Sequence, residues 1–338
     1  MPVPTTVVGS YPQPEWLVDK AQLTAAGVPR IRARQVWRVA EPWLADAQAD
    51  AVRLAVADME RAGVDIITDG EQRRESYFNQ LANAFEGLDL TRPGVARART
   101  GREVPVPRIV APIRRKGSVF HDDAVFLRDI TTRKIKVTLP GPFTLTQLAQ
   151  DDYYRDEEKL ALAHAAAVNE ELRALAPLVD VLQLDEPYLQ ARPDRARTYG
   201  VAAINRALAG VGKPTVIHLC FGYAATVKEK PSGYSFLPEL DRCIATAISI
   251  EAAQPKLDMS VLASLPSKTI VLGVLDLGDP TPETPAIVAR RLTAALSHVP
   301  AARLIAAPDC GMKYLTRDVA SAKLRALVEG ARLMSLVE

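Results

Sequence analysis

Eight short runs of apolar, mostly β-branched residues recur along the chain, and most are followed by a longer stretch rich in Ala, Leu and Arg. The runs have almost no polar alternation, which predicts strands covered on both faces, as in parallel α/β sheets. Eight such units favour an α/β fold of the (β/α)8 TIM barrel type over a doubly wound sheet, which usually has fewer strands. The predicted strands are residues 5–8, 65–68, 134–139, 181–184, 215–219, 248–250, 270–275 and 304–307.

The segments between these runs divide into helices and two decorations. Residues 16–43 predict an N-terminal helical excursion, and residues 93–130, rich in Arg, Val and Pro, predict a hairpin-like insertion after the second strand. Neither decoration has a recognisable core of its own, so we expect one domain over residues 1–338, a length within the range of barrel enzymes. The predicted helices are residues 46–62, 157–176, 199–209, 237–246, 285–296 and 319–336.

The net charge bears on the binding partners of the protein, and the cysteine content bears on its compartment. The chain has 42 Lys and Arg against 40 Asp and Glu, so a net charge of +2 gives no electrostatic reason to bind nucleic acid or an anionic membrane. Three cysteines are too few for a disulfide framework, which indicates a reducing compartment. We find neither a signal peptide nor a run of about 18 apolar residues. We therefore expect a cytoplasmic protein.

Polar residues follow nearly every predicted strand at the point where the strand ends. In α/β barrels the active site forms at the carboxyl ends of the strands, so this placement favours an enzyme. The residues at these ends are Gly9-Ser10, Asp69-Gly70-Glu71, Pro140-Gly141-Pro142, Asp185-Glu186-Pro187, His218, Cys220, Glu251, Asp276 and Asp309-Cys310.

Four of these strand-end residues have the chemistry of metal ligands. His218 and Cys220 are two residues apart, so the alternation of a strand points both side chains to the same side. Cys310 ends the last strand, and Glu251 ends the strand after the one that carries Cys220. One imidazole, two thiolates and one carboxylate suit tetrahedral Zn²⁺. The alternative is a partly buried strand end with Cys310 as a small core residue.

Three further strand-end positions suit a small polar substrate. Gly9-Ser10 could form an anion-binding turn, although Gly-Ser after a strand is common. Glu71 and Asp185 could hold a cationic amine, or could pair with Arg73, Arg74 or Arg192. Walker A, Gly-x-Gly-x-x-Gly and nucleophile-elbow sequences are absent, which disfavours common nucleotide chemistry.

The remaining cysteine, histidines and tryptophans are expected to have structural roles. Cys243 lies in a predicted helix, where a buried, unreactive thiol is the better interpretation. Solvent exposure or a local hydrogen bond is expected for the other histidines, which are His121, His164 and His298. Core packing is the default for the tryptophan cluster of Trp16, Trp37 and Trp43.

Five motifs, in this order along the chain, resemble the catalytic barrel of cobalamin-independent methionine synthase. They are Val8-Gly9-Ser10-Tyr11-Pro12-Gln13, Asp69-Gly70-Glu71, Leu184-Asp185-Glu186-Pro187, His218-Leu219-Cys220 and Pro308-Asp309-Cys310-Gly311-Met312-Lys313. The combination of His-x-Cys with Pro-Asp-Cys-Gly is specific, and the resemblance runs from about residue 5 to residue 333.

This resemblance implies a zinc-dependent thiol S-methyltransferase that converts homocysteine to methionine. It implies that Zn²⁺ is held by a His and a Cys two residues apart, by a Glu and by a second Cys, at positions 218, 220, 251 and 310. It places the homocysteine carboxylate on Gly9 and Ser10, and the amino group on Glu71 and Asp185. The implied methyl donor is methyltetrahydrofolate or a methylated corrinoid, the latter offered by a corrinoid protein.

The sequence departs from the family on the donor side. The family offers a tryptophan for stacking on the pterin after Pro140-Gly141-Pro142, and residues 143–148 contain none. The family also has a histidine after the seventh strand that assists protonation of the leaving group. This chain has Asp276-Leu277-Gly278-Asp279 there, so Asp276 or Asp279 becomes the candidate proton donor.

These departures leave two alternatives open. One is a zinc-dependent alkyltransferase of the same superfamily that uses another thiol and donor, as epoxyalkane:coenzyme M transferases do. The other is a zinc-free barrel related to uroporphyrinogen decarboxylase, against which the four-residue ligand set argues. The oligomeric state does not follow from the sequence.

Overall fold

Seven parallel strands form a curled sheet in the computed structural model, which describes residues 3–25, 27–99, 101–225 and 227–334. Each strand pairs with the next one along the sheet, which is the order expected for strands joined by helical crossovers. In sheet order the strands are Ile66–Ile67, Lys134–Pro140, Val181–Asp185, Thr215–Leu219, Ala247–Ile250, Thr269–Gly273 and Leu304–Ala307. These match seven of the eight predicted strands, and the parallel α/β fold is confirmed.

The predicted first strand, residues 5–8, is not a strand in the structure. Thr5 and Thr6 form single parallel bridges, one to Ala306 and one to Ile66, which belong to the two edge strands of the sheet. The ladder stops there because side chains take the next carbonyl groups. The Val7 oxygen accepts from Lys136 at 2.6 Å, and oxygens of the following residues accept from Gln183 and Thr68. Among the residues that the structure describes there is therefore no regular eighth strand, and the predicted barrel is not closed.

Helices surround the sheet, and their ends follow local sequence signals. The helix Glu157–Leu175 begins after Asp156, whose carboxylate accepts from the Lys159 amide at 3.1 Å. The helix Leu44–Ala62 ends at Gly63, which has the left-handed conformation that glycine adopts without strain. The other α-helices are Lys20–Ala25, Asn79–Ala82, His121–Ile130, Pro142–Gln147, Pro187–Ala191, Pro193–Arg195, Val201–Leu208, Leu237–Leu240, Pro285–Leu296 and Arg317–Leu333.

Most predicted helices are present, but the helix predicted over residues 237–246 ends at Leu240. Tertiary contacts take the backbone groups that would have continued it. The Ile244 amide donates to Asn205 at 2.8 Å, and the Cys243 carbonyl accepts from the Lys268 ammonium. Cys243 is buried, as predicted, but in a turn rather than a helix. Residues 335 and 336 of the last predicted helix lie outside the described residues.

The insertion is a long antiparallel hairpin formed by Phe85–Arg97 and Glu103–Arg115. It begins earlier than predicted, is extended by the short parallel strand Gln150–Asp151, and is followed by the helix His121–Ile130. One side of the hairpin packs against the main core. The hairpin and the main sheet therefore share one hydrophobic core.

The N-terminal excursion is mostly irregular, with a one-turn 3-10 helix at Arg34–Val36 besides Lys20–Ala25. It has a small apolar cluster of its own around Leu17 and Val36, against which Trp37 packs. The prediction of core packing for the tryptophan cluster is wrong for two members: Trp16 is 48% exposed and Trp43 is 67% exposed. In the part of the chain that the structure describes, every helix is too short or too polar to span a membrane.

Candidate metal and substrate site

His218, Cys220 and Cys310 meet at the carboxyl edge of the sheet. The strand Thr215–Leu219 carries the first two, and Cys310 follows the strand Leu304–Ala307. The imidazole nitrogen and the two thiol sulfurs all lie within 4.8 Å of one another, and all three side chains are buried. Two sulfurs and one imidazole at this spacing can bind one tetrahedral ion.

The His218 ring is oriented so that one nitrogen faces the thiols. Its Nδ1 lies 2.9 Å from the Ser249 hydroxyl, on the neighbouring strand. Its Nε2 is buried and has no hydrogen-bond partner among the described residues. A buried nitrogen without a partner is costly unless something else binds it. A hydrogen bond at Nδ1 that leaves Nε2 free is the arrangement that metal-binding histidines use. The residues present therefore fit Zn²⁺.

The two thiols differ in their readiness to ionise. The pKa of Cys220 is lowered because the Cys310 thiol hydrogen-bonds to it, an effect that outweighs burial. The same contact raises the pKa of Cys310. Both thiols are free of disulfides, and a thiolate is the form that binds a metal.

Glu251, the fourth predicted ligand, lies beside this group but is not part of it. Its Oε1 accepts from the Phe221 amide at 3.0 Å, and its Oε2 forms an ion pair with Lys230. Burial, followed by the nearby Cys220, raises the pKa of Glu251. The structure thus brings together three of the four predicted ligands. Lys230 was not predicted, because a lysine in a charged loop carries no signal that it reaches a buried carboxylate.

The Pro-Asp-Cys-Gly turn organises the edge on which Cys310 lies. The Asp309 carboxylate accepts from the amides of residues 252, 253 and 254 at 2.7–3.1 Å, and so anchors the loop that follows Glu251. Gly311 lets Ser10 approach closely, since a Cβ at this position would lie 2.2 Å from the Ser10 hydroxyl oxygen. In this turn Asp309 positions the chain, and Cys310 faces the site.

Glu71 presents a buried carboxylate to the same cavity. Its backbone φ of 55° lies in the left-handed region, which is strained for a non-glycine residue and is common at functional sites. Its Oε1 accepts from Thr138 at 3.0 Å, and its Oε2 has no hydrogen-bond partner in the described structure. Burial raises its pKa. Gly9 is required beside it, because a Cβ there would lie 2.7 Å from the Glu71 carboxylate.

Asp185 supplies the second carboxylate of the cavity. Its Oδ1 accepts from Gln183 at 2.8 Å, and burial raises its pKa to about 7. The alternative considered from the sequence, pairing of Glu71 and Asp185 with nearby arginines, is not observed within 4 Å. Instead Arg73 pairs with Asp123, Arg74 pairs with Asp69, and Arg192 binds Gln147.

A cavity of about 350 Å³ joins these groups. Its lining includes the three metal-competent side chains, both carboxylates and Gly9-Ser10. All the strand-end residues predicted for substrate and metal therefore lie around one space except Glu251, which does not line it. Asp276 does not line this cavity. Its Oδ1 accepts from the Gly278 amide at 2.7 Å, and Asp279 accepts from Thr281 in the same loop. The structure therefore does not bring the predicted proton donors to the site.

Comparison with known proteins shows the family of this chain. Residues 3–333 match the family described as cobalamin-independent synthase, catalytic domain. The chain belongs to the cobalamin-independent methionine synthase family. A curated methionine synthase from Saccharolobus solfataricus is 30% identical over 98% of this chain and 95% of its own length. The structure of a B12-independent methionine synthase from a Shewanella species, in complex with selenomethionine, is 33% identical, covers 100% of this chain and 99% of that one, and has a TM-score of 0.90.

Membership of the methionine synthase family makes this chain a methyltransferase, and it supports methyl transfer to homocysteine. A solved structure from Listeria monocytogenes, 21% identical over 99% of both chains with a TM-score of 0.73, shares the fold. The family is cobalamin-independent, so it gives no support to the methylated corrinoid that the sequence left open as a donor.

Proposed function

We propose that this methyltransferase acts on the thiol of homocysteine at a zinc ion held by His218, Cys220 and Cys310. The main support is that a ring nitrogen of His218 and the two thiol sulfurs lie within 4.8 Å of one another, while the buried Nε2 of His218 has no hydrogen-bond partner among the described residues. Zinc prefers nitrogen and sulfur ligands, whereas magnesium and calcium prefer oxygen. When bound, Zn²⁺ lowers the pKa of a substrate thiol, which otherwise is about 8.5, and so supplies a thiolate at neutral pH.

Three protein ligands leave one tetrahedral position for the substrate sulfur, as in catalytic zinc sites. Glu251, the predicted fourth ligand, would occupy this position only when the substrate sulfur does not. Both of its oxygens already have partners, the Phe221 amide and Lys230, so it must release one of them before it can bind an ion. Ser249 keeps the His218 ring in the orientation that ligation requires.

Glu71 and Asp185 are proposed to bind the amino group of homocysteine. An ammonium placed between two buried carboxylates would stabilise their ionised forms, which burial now disfavours. Gly9 and Ser10 are proposed to receive the carboxylate. A sulfonate-bearing thiol such as coenzyme M lacks the ammonium and would meet two carboxylates of its own sign, so the coenzyme M alternative is disfavoured.

Methyltetrahydrofolate is the proposed methyl donor. In the transfer the carbon–nitrogen bond of the donor breaks, its electron pair stays on the donor nitrogen, and the methyl carbon forms a new bond to the homocysteine sulfur. The donor nitrogen takes up a proton, which solvent or a side chain must supply. The cavity holds both reactants close together, which is the main contribution of the protein to an in-line transfer.

The test is a homocysteine methylation assay with 5-methyltetrahydrofolate before and after metal removal. We expect a chelator to abolish activity, and addition of about one Zn²⁺ per chain to restore it. The circular dichroism spectrum of the chelated protein controls for unfolding. Full activity of folded, metal-free protein would contradict the proposal. Titration calorimetry with homocysteine alone separates an error in the thiol from an error in the donor.

A further inference from the structure

Two polar side chains, Lys136 and Gln183, are buried on neighbouring strands of the sheet. Each has at most 1% of its surface exposed, and neither of them lines the cavity. A buried ammonium is costly, and Lys136 forms no ion pair within 4 Å with the residues that the structure describes. Burial lowers the pKa of Lys136 to about 7, and the nearby Asp185 carboxylate opposes this decrease. The contacts of Lys136 therefore have to explain why a lysine is placed there.

The two side chains form a series of hydrogen bonds that ends at Asp185. Nζ of Lys136 donates to Oε1 of Gln183 at 2.7 Å, and Nε2 of Gln183 donates to Oδ1 of Asp185 at 2.8 Å. The amide of Gln183 can take only one orientation here, because an ammonium only donates and an ionised carboxylate only accepts. A donor on the amide oxygen also strengthens the N–H donors of the same amide. Lys136 thereby supports the contact that holds Asp185.

The same two side chains hold the segment that leads to Gly9-Ser10. Lys136 donates to the carbonyl of residue 7 at 2.6 Å, and Gln183 donates to the carbonyl of residue 8 at 3.0 Å. Gly9-Ser10, which follows directly, is the proposed partner of the homocysteine carboxylate, and Asp185 is a proposed partner of the ammonium. One pair of side chains therefore fixes the two ends of the proposed amino acid subsite relative to each other.

The strand Lys134–Pro140 contributes to both carboxylates of the cavity. Thr138, two residues after Lys136, donates to Oε1 of Glu71 at 3.0 Å, whereas Lys136 reaches Asp185 through the amide of Gln183. Each carboxylate thus has one oxygen held by the protein. The other oxygen, Oε2 of Glu71 or Oδ2 of Asp185, receives no hydrogen bond from the described residues. A ligand with N–H donors can bind these two oxygens together.

We propose that Lys136 and Gln183 are positioning residues for the amino acid group of homocysteine. Gln183 orients the Asp185 carboxylate and the segment before Gly9-Ser10, and Lys136 holds the Gln183 amide in the orientation that does both. The inference rests on the proposed function for the identity of the thiol. It assigns to this buried pair the recognition of the amino acid group, and not the activation of the sulfur.

Homocysteine and propanethiol are suitable probes, because propanethiol keeps the sulfur and lacks both the amino group and the carboxylate. Titration calorimetry would measure the binding of each thiol to the zinc-loaded protein. Gln183→Glu keeps the size of the side chain and its contact with Lys136, but turns an oxygen toward Asp185 in place of the N–H donors. Homocysteine should bind at least about tenfold more weakly to this variant, and propanethiol should bind within about twofold of its wild-type affinity.

Lys136→Met tests the other half of the pair, since methionine fills a similar space and has no donor. Homocysteine should bind roughly fivefold to tenfold more weakly, again without a change for propanethiol. The affinity for zinc, measured by competition with a chelator, reports on the sulfur side of the site and should not change in either variant. The matched control is Lys134→Met, which removes an exposed lysine from the same strand and should bind both thiols as the wild type does.

The inference can be overturned in two ways. Wild-type affinity for homocysteine in a variant with an unchanged circular dichroism spectrum would remove the role of the substituted residue. Equal weakening of both thiols, loss of zinc affinity, or failure of both variants to fold would show that the pair has a structural role only. Failure of the proposed function is recognised separately, as absence of homocysteine binding to the wild-type protein.

Discussion

Two sets of side chains surround the cavity, and they are positioned in different ways. The strand-end group consists of Glu71, Asp185, His218, Cys220 and Cys310, most of which are at or next to the carboxyl ends of paired strands. The arginine group consists of Arg30, Arg99 and Arg102, which line the cavity from an irregular segment and from a hairpin tip. Hydrogen-bonded strands hold their side chains to within small displacements, whereas loops tolerate change. The strand ends are therefore the more precise support for the thiol chemistry.

The two sets also differ in what they lack. Among the described residues of the strand-end group, the buried atoms without a hydrogen-bond partner are one His218 nitrogen and one Glu71 oxygen. The nitrogen can bind a metal ion, and the oxygen can accept a hydrogen bond from an ammonium. In the arginine group the groups without a carboxylate partner are guanidinium N–H donors, which can donate hydrogen bonds to an anion. The cavity thus offers complementary contacts to two different molecules, as a transfer reaction between two substrates requires.

The largest effect is expected for Cys310→Ser, which removes a ligand from the strand-end group. Zinc content should fall well below one per chain, and methyl transfer should fall by about 10³-fold or more, because the thiol is no longer activated. Metal analysis and a steady-state assay measure both. Cys243→Ser is the control, since Cys243 is a buried thiol in a turn away from the cavity lining. Arg99→Gln should also retain zinc; loss of zinc in that variant would remove the distinction between the two groups.

A smaller loss is expected for Glu71→Gln, which keeps the shape of the side chain but removes its charge. Homocysteine should bind roughly 10- to 100-fold more weakly, the usual cost of a hydrogen bond to a charged group. A thiol of the same length without the amino group, 4-mercaptobutyrate, should bind both proteins similarly. Equal weakening for both thiols would show that Glu71 supports the fold of the site instead of the ammonium.

Ser249→Ala tests whether the orientation of the His218 ring matters. Removal of the 2.9 Å contact at Nδ1 should weaken zinc binding by about tenfold, because partners of metal-binding histidines tune affinity by this order. Competition with a chromophoric chelator measures the affinity. Ser264→Ala removes a hydroxyl that bonds only locally, to Val261, and should change nothing. Unchanged zinc affinity in Ser249→Ala would argue against ligation through Nε2.

The last expected effect is a pH dependence of the affinity for homocysteine. Asp185 has a pKa raised to about 7, so it is largely neutral below that pH and gains the charge that attracts an ammonium as pH rises. Between roughly pH 5.5 and pH 7 the affinity for homocysteine should rise about tenfold more than the affinity for 4-mercaptobutyrate, because loss of the thiol proton on binding is common to both thiols. The arginines of the cavity should contribute nothing to such a rise, because guanidinium groups stay charged.

His218, Glu71 and Cys220 also face Asp185, and Lys136 lies near it, so the variant Asp185→Asn is needed to assign the effect. The additional rise for homocysteine over 4-mercaptobutyrate should disappear in Asp185→Asn. If the additional rise persists there, one of the neighbouring groups is responsible instead.

Much of the strand-end group was predictable from sequence because strand periodicity and strand-end position suffice to place a side chain. His218 and Cys220 share a side for that reason, and the turn at Cys310 follows an equally clear apolar run. The relation of Glu251 to the group was less predictable, since Lys230 reaches it from a loop whose path depends on tertiary contacts.

The arginine group was not predicted, and neither was the loss of the first strand. An irregular excursion and a hairpin tip have no periodicity that indicates which side chain faces inward. Similarly, residues 5–8 have the composition of a strand, but the side chain of Lys136, buried beneath them, takes a carbonyl that a ladder would use.

Zinc K-edge X-ray absorption of the purified wild-type protein tests the central claim most directly, because it counts the atoms around the metal. The account predicts about one zinc per chain, with two sulfur neighbours near 2.3 Å and at least one nitrogen near 2.0–2.1 Å. Zinc surrounded only by nitrogen and oxygen, or active protein without zinc, would contradict it.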